Sequence, residues 1–196
     1  MRTITYGGAV SLDGFLAGAD GSIDWLHFSP DVQRVMADYW KSVDTILMGR
    51  KTYAVAAAQS GGAKSKAKPS AKSGAKTRQR RTTREPAMRT YVFSRTLDPI
   101  DQPGVELVRT DAAAFVRDLK ARPGKNICLM GGGELAQSLL AADLVDEVGL
   151  NIHPVLLGAG VPVFRDPGQR VRLTLTECRT LDGGCVLASY RVLPRA

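Results

Sequence analysis

The stretch NICLMGGGELAQSLL, residues 126–140, decides the fold. NICLM predicts a buried strand that runs into three glycines, and ELAQSLL predicts the helix that follows them. Such a junction presents backbone N–H groups at the positive end of a helix dipole, and glycine lets a ligand approach that backbone closely. The stretch therefore predicts a phosphate or pyrophosphate site. The simpler alternative is a tight strand-to-helix turn, because neither G-x-G-x-x-G nor a P-loop lysine is present.

Strand and helix patterns alternate on both sides of this stretch. Strands are predicted at 2–12, 44–49, 89–94, 105–109, 125–130 and 146–157, and helices at 29–43, 50–58, 111–122 and 134–142. The end of the chain, residues 172–193, predicts two strands around a DGG turn. This order predicts a three-layer α/β fold, in which helices cover both faces of a mostly parallel sheet that ends in a C-terminal antiparallel hairpin.

Two further predicted strand ends carry groups that bind phosphate. Gly49, Arg50 and Thr52 follow one strand, and Ser94 with Arg95 follows another. A guanidinium can form a forked pair with phosphate, and a hydroxyl can donate to it. Because ligands of α/β sheets bind at the carboxyl ends of the strands, three such ends favour a dinucleotide. Taken singly, cations at a helix start are also common surface residues.

Three carboxylates are candidates for a proton source. Asp13, Asp24 and Asp31 lie near a strand end, in a loop and at a helix start. Reduction of a C=N bond requires a proton as well as a hydride, and a half-buried carboxylic acid with a raised pKa could supply it. Asp13 is the first candidate. A turn at Asp13 and a first-turn position for Asp31 explain these residues without catalysis.

The sequence predicts neither a metal site nor disulfides. His27 and His153 are far apart and lack metal-ligand spacing, and the three cysteines form no C-x-x-C pair. Free buried thiols are the expected state of the cysteines. The chain shows no leader-like start and no apolar run near the ~20 residues of a membrane span, so we expect a cytoplasmic protein without membrane association.

The positive charge is concentrated in residues 58–88. The whole chain has 27 Lys and Arg against 19 Asp and Glu, a net charge of +8. Nine of these cations and one acid fall within 58–88, which leaves 18 of each sign elsewhere. Because that segment has almost no apolar side chains, we expect a disordered insert in a single domain that spans residues 1–196. Its stretch 61–86 also predicts weak, sequence-independent contact with nucleic acid.

These motifs, in this order, resemble one superfamily: dihydrofolate reductase and the reductase domain of the bifunctional riboflavin-biosynthesis deaminase–reductase. The chain is most similar to stand-alone proteins related to that riboflavin domain. The resemblance covers nearly everything outside the insert. It rests on SLDGFLAGADGSIDW (11–25), ILMGRKTY (46–53), VFSRTL (92–97), GGGELAQSLLAADLVDEVGLNIHPVLLGAGVPVF (131–164) and the terminal hairpin.

The resemblance implies NADPH as hydride donor and a homodimer. It places groups of residues around four parts of the cofactor. Gly49, Arg50 and Thr52 would contact its phosphates, and Ser94 and Arg95 would lie near the adenosine 2′-phosphate. The pyrophosphate would be wrapped by Gly131, Gly132, Gly133, Glu134 and Leu135. Ala9 and Trp25 would flank the nicotinamide, with residues 22–25 as a mobile loop over it.

The chain departs from the riboflavin reductases where they hold the substrate's ribose phosphate. Residues 53–62, YAVAAAQSGG, contain neither Asp nor Arg, and Met130 stands where those enzymes usually have Glu. The zinc deaminase signature is absent. We therefore expect an NADPH-dependent reductase of a small heterocyclic or imine-like substrate of the pterin or ribosylaminopyrimidine class. The alternatives are a reductase-like scaffold that binds nucleic acid through the insert, and a cofactor-binding protein without turnover.

Overall fold

The computed structural model describes residues 1–62, 88–131, 133–165, 168 and 170–195. The ten strands in these ranges are β1 (Ile4–Ser11), β2 (Phe15–Ala17), β3 (Val43–Gly49), β4 (Arg89–Phe93), β5 (Val105–Val108), β6 (Asn126–Met130), β7 (Glu147–His153), β8 (Val161–Pro162), β9 (Leu173–Leu181) and β10 (Cys185–Val192). The four helices are α1 (Pro30–Ser42), α2 (Arg50–Gly62), α3 (Ala112–Ala121) and α4 (Glu134–Ala141).

Eight of the strands form one sheet in the order β5-β4-β3-β6-β1-β7-β10-β9. The first six run parallel, and β10 is antiparallel to both β7 and β9. The predicted mostly parallel sheet with a C-terminal hairpin is therefore confirmed. The sheet also joins strands from both sides of the basic segment.

Helices cover both faces of this sheet. On one face, Tyr6 and Leu129 belong to a buried cluster with Val116 of α3 and Leu139 of α4. Ile152 of β7 packs on that cluster and lies opposite Val186 of β10. Because side chains alternate along a strand, the neighbours of Val186, Cys185 and Leu187, face the other side of the sheet. On this second face α1 packs, with Val32 against Cys185. The central strand β1 lies between β6 and β7 and is covered on both sides.

The helix starts follow the residue types that the sequence supplies. Ser29 Oγ accepts a hydrogen bond from the Val32 amide at 3.2 Å, with Pro30 at the first helical position. Asp111 accepts from the Ala114 amide at 2.8 Å and caps α3 in the same way. The helix α2 begins at Arg50 as expected but continues to Gly62. The helix therefore runs past its predicted end at residue 58, and of the insert expected at about 58–88, residues 63–87 lie outside the described part of the chain.

A small second sheet was not foreseen from the sequence. Strands β2 and β8 pair antiparallel, with Phe15 opposite Pro162. Gly160 lies so close to β2 that a Cβ there would stand 2.1 Å from the Ala17 carbonyl oxygen. This contact anchors the segment after β7 against the segment after β1, which brings two loops of the carboxyl edge together.

Two partly buried ion pairs close the opposite, amino edge of the large sheet. Lys120, 5% exposed, donates from Nζ to Asp146 Oδ2 at 2.5 Å and to the Leu144 carbonyl oxygen at 2.9 Å. Arg2 pairs with Asp44 and also donates to Thr45 Oγ1 at 2.7 Å. Such contacts serve the fold, because they tie α3, β1, β3 and β7 together away from the predicted site.

The cysteines are free thiols, as expected. Cys128 and Cys185 are buried, and burial raises the pKa of both thiols. Cys178 is exposed on β9, so the expectation that it is buried is wrong.

Candidate active site

All the predicted cofactor segments meet at the carboxyl edge of the sheet. Strands β1, β3, β4, β6 and β7 are parallel, so the residues that follow them lie at one edge. Within the sheet β3 lies between β4 and β6, and β1 lies between β6 and β7. The topology thus aligns the Gly-Arg-Lys-Thr, Ser-Arg and triple-glycine segments side by side.

Two of these segments are in direct contact through Gly131 and Thr52. Gly131 has φ = +88°, and a Cβ built on it would stand 2.0 Å from Thr52 Oγ1. Any larger residue would therefore have to displace the threonine, in addition to adopting a backbone conformation that disfavours side chains. The start of α2 and the glycine turn after β6 form one surface with the threonine hydroxyl beside bare backbone.

The glycine turn leads into α4 without a side-chain cap. Gly133, with φ = +91°, is the N-cap residue and supplies no side-chain hydrogen bond to the first turn. Arg165 lies over it, since a Cβ on Gly133 would be 2.9 Å from Arg165 Nε, and its guanidinium is 4.0 Å from Glu134. Leu135 packs its side chain on the core, so only its backbone faces the turn. Gly132 lies outside the described residues.

The loop after β4 is shaped by hydrogen bonds that the sequence pattern did not reveal. Ser94 Oγ accepts from the amides of Thr96 and Leu97 at 3.2 and 3.0 Å. Arg109, at the end of β5, donates to the carbonyl oxygens of Arg95 and Leu97 at 2.9 and 2.6 Å. The side chain of Arg95 is exposed beside this turn. Arg109 therefore holds the loop, while Arg95 projects from it.

Asp13 does not have the environment expected for a proton donor. It is exposed, Ser11 Oγ donates to it at 2.6 Å, and the Gly158 amide donates at 2.7 Å. The Leu157 amide also lies within 3.2 Å. The Ser11 hydrogen bond, with those of the two amides, lowers the pKa of Asp13. The expected raised pKa is therefore wrong, because the carboxylate is held ionised as an anchor for the loop at 155–158.

The other two carboxylates lie apart from the segments predicted to bind the cofactor's phosphates. Asp31, in the first turn of α1, pairs with Arg34 at 2.9 Å. It lines a shallow cavity of about 220 Å³ between α1 and β9, away from the glycine turn. Asp24 is exposed in the loop before α1. Neither is brought next to Gly131 or Thr52 by any described contact.

A buried histidine organises the end of β7. His153 is 2% exposed, and its Nδ1 accepts from the His27 amide at 3.2 Å. The ring meets Trp25 edge to face, with centroids 5.4 Å apart, and its Nε2 lies 3.2 Å from the Asn151 amide. Desolvation, followed by the neighbouring His27, lowers the pKa of His153. Ala9 pairs with Asn151 across β1 and β7, so Trp25 and Ala9 both lie around this cluster.

Sequence reasoning assigned no role to Arg165, Arg109 or Asn151. Arg165 and Arg109 are single cations in loops, and only the fold shows which backbone they lie against. Asn151 is an isolated polar residue in an apolar strand, and this pattern is the signal in the sequence that points to a functional side chain. Among the described residues, no group of three or more His, Cys, Asp or Glu side chains could hold a metal ion. No helix in the described ranges is long and apolar enough to cross a membrane.

The topology and the three aligned strand ends define a protein with the dihydrofolate reductase-like fold. The chain belongs to the RibD C-terminal domain family, whose model matches residues 2–187. It is 35% identical over 195 residues to the uncharacterised protein YyaP of Bacillus subtilis, covering 97% of this chain and 95% of that one. It is 33% identical over 168 residues to YwjB of the same organism, covering 85% of each.

Solved structures agree with this assignment. A putative riboflavin biosynthesis protein from Shewanella sp. PV-4 superposes with a TM-score of 0.75 at 25% identity, over 99% of this chain and all of the other. The deaminase/5-amino-6-(5-phosphoribosylamino)uracil reductase of Thermotoga maritima gives a TM-score of 0.67 at 19% identity. That match covers 98% of this chain and 57% of the larger protein, and it shows the shared fold.

Proposed function

We propose that the protein is an NADPH-dependent reductase of a small heterocyclic substrate, of the ribosylaminopyrimidine or pterin class. The observation that carries the proposal is the contact of Gly131 with Thr52, which joins two strand-end segments into one surface of backbone and hydroxyl. Membership of the RibD C-terminal domain family supports a reductase. NADPH would supply the hydride, and the protein would orient the two reactants.

The residues present fit a dinucleotide phosphate chain. Thr52 and Arg165 occupy the space that a Cβ on Gly131 or Gly133 would fill, so a hydroxyl and a guanidinium lie against bare backbone, and Arg50 with Thr52 begins the neighbouring helix. Backbone N–H groups and a guanidinium are suitable partners for phosphate oxygens. Arg165, over Gly133, adds a cation that offsets the nearby carboxylate of Glu134. Ser94 and Arg95 would take the adenosine side, and Ala9 and Trp25 the nicotinamide side.

Titration with NADPH and with NADH, followed by nicotinamide fluorescence, tests the cofactor. We expect binding with a clear preference for NADPH, because Arg95 is exposed on a turn hydrogen-bonded by Arg109, where it can pair with a 2′-phosphate. Arg95→Gln should reduce that preference, whereas Arg117→Gln, on the solvent side of α3, should leave it unchanged. Absence of binding by either nucleotide would contradict the proposal.

Substrate choice is tested by NADPH oxidation. The protein is incubated with 5-amino-6-(5-phosphoribosylamino)uracil, its dephosphorylated form, and dihydrofolate. Since residues 53–62 carry no cation to hold a ribose phosphate, we expect the dephosphorylated substrate to react as well as the phosphorylated one. A strong requirement for the phosphate would contradict this expectation.

We also propose a homodimer formed through β9. This strand is an edge of the sheet, its residues from Leu173 to Thr180 are exposed, and Leu175 is 52% exposed. A long edge strand with exposed apolar side chains favours pairing with another chain. Light scattering should give a dimer that Leu175→Lys converts to a monomer. A monomeric wild-type protein would contradict the proposal.

The alternative function, nucleic-acid binding through residues 61–86, is favoured only by the charge distribution. Nine cations without aromatic partners would produce phosphate-driven, salt-dependent affinity. We propose that any such contact is secondary to reduction. An insert-free variant that retains full affinity for DNA would contradict a role of the insert.

A further inference from the structure

Two buried side-chain polar atoms in the described part of the chain have no hydrogen-bond partner, and both belong to residues that contact His153. They are Trp25 Nε1 and Asn151 Oδ1. The indole ring of Trp25 meets the imidazole edge to face, and the amide nitrogen of Asn151 lies 3.2 Å from His153 Nε2. A buried polar atom without a partner is costly, so two around one residue require an explanation.

The contacts of His153 define where its proton lies. Its Nδ1 accepts a hydrogen bond from the His27 amide at 3.2 Å, and Cys185 Sγ lies 3.5 Å from the same nitrogen. A ring nitrogen that accepts carries no proton, so the neutral imidazole bears its proton on Nε2. The lowered pKa of His153 is consistent with a neutral ring near pH 7.

The proton on Nε2 sets the orientation of the Asn151 amide. An Nε2–H group must face an acceptor, and the amide of Asn151 is its neighbour at 3.2 Å. With Oδ1 turned to Nε2 the pair forms a hydrogen bond, and the amide NH₂ becomes the unpartnered group. The cluster then presents two donors, this NH₂ and the indole N–H of Trp25, with no acceptor.

We propose that Asn151, oriented by His153, is a substrate-positioning residue that donates to a ring carbonyl oxygen of the substrate, with Trp25 as a second donor. The inference rests on the proposed function and assigns the residues that recognise the ring carbonyl which both proposed substrate classes carry. Asn151 pairs with Ala9 across β1 and β7, so the carbonyl would lie beside the proposed nicotinamide position. Because Trp25 Nε1 and the Asn151 amide are buried, residues 22–25 must shift to admit the substrate while the Trp25 indole N–H stays within reach of its carbonyl oxygen.

Two small molecules of the same ring size separate this proposal from non-specific binding. In 5,6-diaminouracil the pyrimidine ring carries two carbonyl oxygens, and in 2,4,5,6-tetraaminopyrimidine amino groups replace them. Calorimetric titration of the full chain, with and without NADPH, measures both affinities. We expect at least about tenfold tighter binding of the uracil, because a site of buried donors rejects an analogue that lacks the acceptors.

Variants at Asn151 and His153 should change the preference between the two molecules, which a loss of folding would not do. Asn151→Asp keeps the acceptor for His153 but removes the donor, so it should invert the preference between the two molecules. His153→Phe keeps a ring in the same space but removes the hydrogen bond that orients the Asn151 amide. It should therefore reduce the preference for the uracil although the Asn151 side chain is still present. Asn126→Asp, at the amino edge of β6, is the matched control and should behave as wild type.

Each result decides the proposal. A wild-type protein that binds both molecules equally, or neither, would overturn it, as would an Asn151→Asp variant that keeps the wild-type preference. Thermal unfolding of each variant identifies misfolded protein, and if one variant misfolds the other still tests the site. NADPH binding is scored separately, so failure of the reductase proposal is distinguished from failure of the carbonyl assignment.

Discussion

Gly131 illustrates what the sequence can and cannot predict at the scale of a residue. Three glycines after a strand predicted bare backbone before a helix, and the two described ones, Gly131 and Gly133, both have a positive φ. The contact of Gly131 with Thr52 was not predictable, because it depends on β3 and β6 being neighbours in the sheet. In the same way, the residue types around His153 were visible, but their hydrogen bonds required the fold.

Gly131→Ala should destabilise the protein and weaken NADPH binding. Alanine at φ = +88° is strained by about 1–3 kcal/mol, and its methyl group would collide with Thr52 Oγ1. The matched control, Gly104→Ala, has a similar φ of +80°, with its nearest contact, the Met88 carbonyl oxygen, at 3.2 Å. Urea unfolding should show a loss in both variants, and only Gly131→Ala should also lower NADPH affinity. Unchanged NADPH affinity in Gly131→Ala would show that this turn does not bind the cofactor.

His153 should make stability depend on pH below neutrality. Its folded pKa lies below the ordinary 6.5, so the unfolded chain binds the additional proton as pH falls. The associated stability is present above about pH 6.5 and is lost at lower pH. His153→Phe should therefore reduce the loss of stability between about pH 7 and pH 5.5 in urea titrations. The control His27→Gln keeps the backbone N–H that donates to His153, so it should retain most of the pH dependence of stability. Equal pH dependence in the two variants would contradict the assignment of this effect to His153.

At the scale of elements, the longer helices and strands followed from periodicity, caps and turn residues, but β2 and β8 did not. Strands of three and two residues are too short for an alternating pattern, and their pairing joins segments far apart in the sequence. The length of α2 was also underestimated. Residues 59–62, QSGG, resemble a loop by composition, and propensity alone did not indicate that the helix continues.

Lys120→Met tests how much the Lys120 side chain, at the amino edge of the sheet, contributes to the free energy of unfolding. The lysine bonds a carboxylate and a carbonyl oxygen while its stem is buried, so its loss leaves Asp146 and the Leu144 carbonyl without that donor. Because Asp146 is 41% exposed, we expect a loss of about 1–3 kcal/mol in the free energy of unfolding. Lys41→Met, in an exposed pair with Asp38, should lower the free energy of unfolding far less. Similar losses would contradict a special role for Lys120.

At the scale of the whole molecule, charge and chemistry are separated along the chain. The neutral remainder contains the sheet and every proposed site residue, whereas the basic segment follows α2. At 1.5 Å per residue, this helix extends about 18 Å from Arg50 to Gly62. Gly62, the last described residue before the basic stretch, therefore lies well away from the proposed phosphate site.

Replacement of residues 63–87 by a Gly/Ser linker of equal length should leave NADPH affinity and unfolding free energy unchanged, the latter within about 0.5 kcal/mol. Salt-dependent retention on a phosphate-bearing matrix should disappear, because the remaining charges balance. Fluorescence titration, urea unfolding and salt elution measure the three quantities. A several-fold loss of NADPH affinity would instead show that the segment helps to bind the cofactor.

The position of β1 between β6 and β7 also has a consequence during synthesis of the chain. Ile4 has Ile127 as its partner, so the first strand leaves the ribosome long before either neighbour exists. At about 5–20 residues per second, its apolar side chains wait roughly 6–25 s for a partner. During that interval the nascent chain carries, without its neighbours, a strand that will later lie inside the sheet.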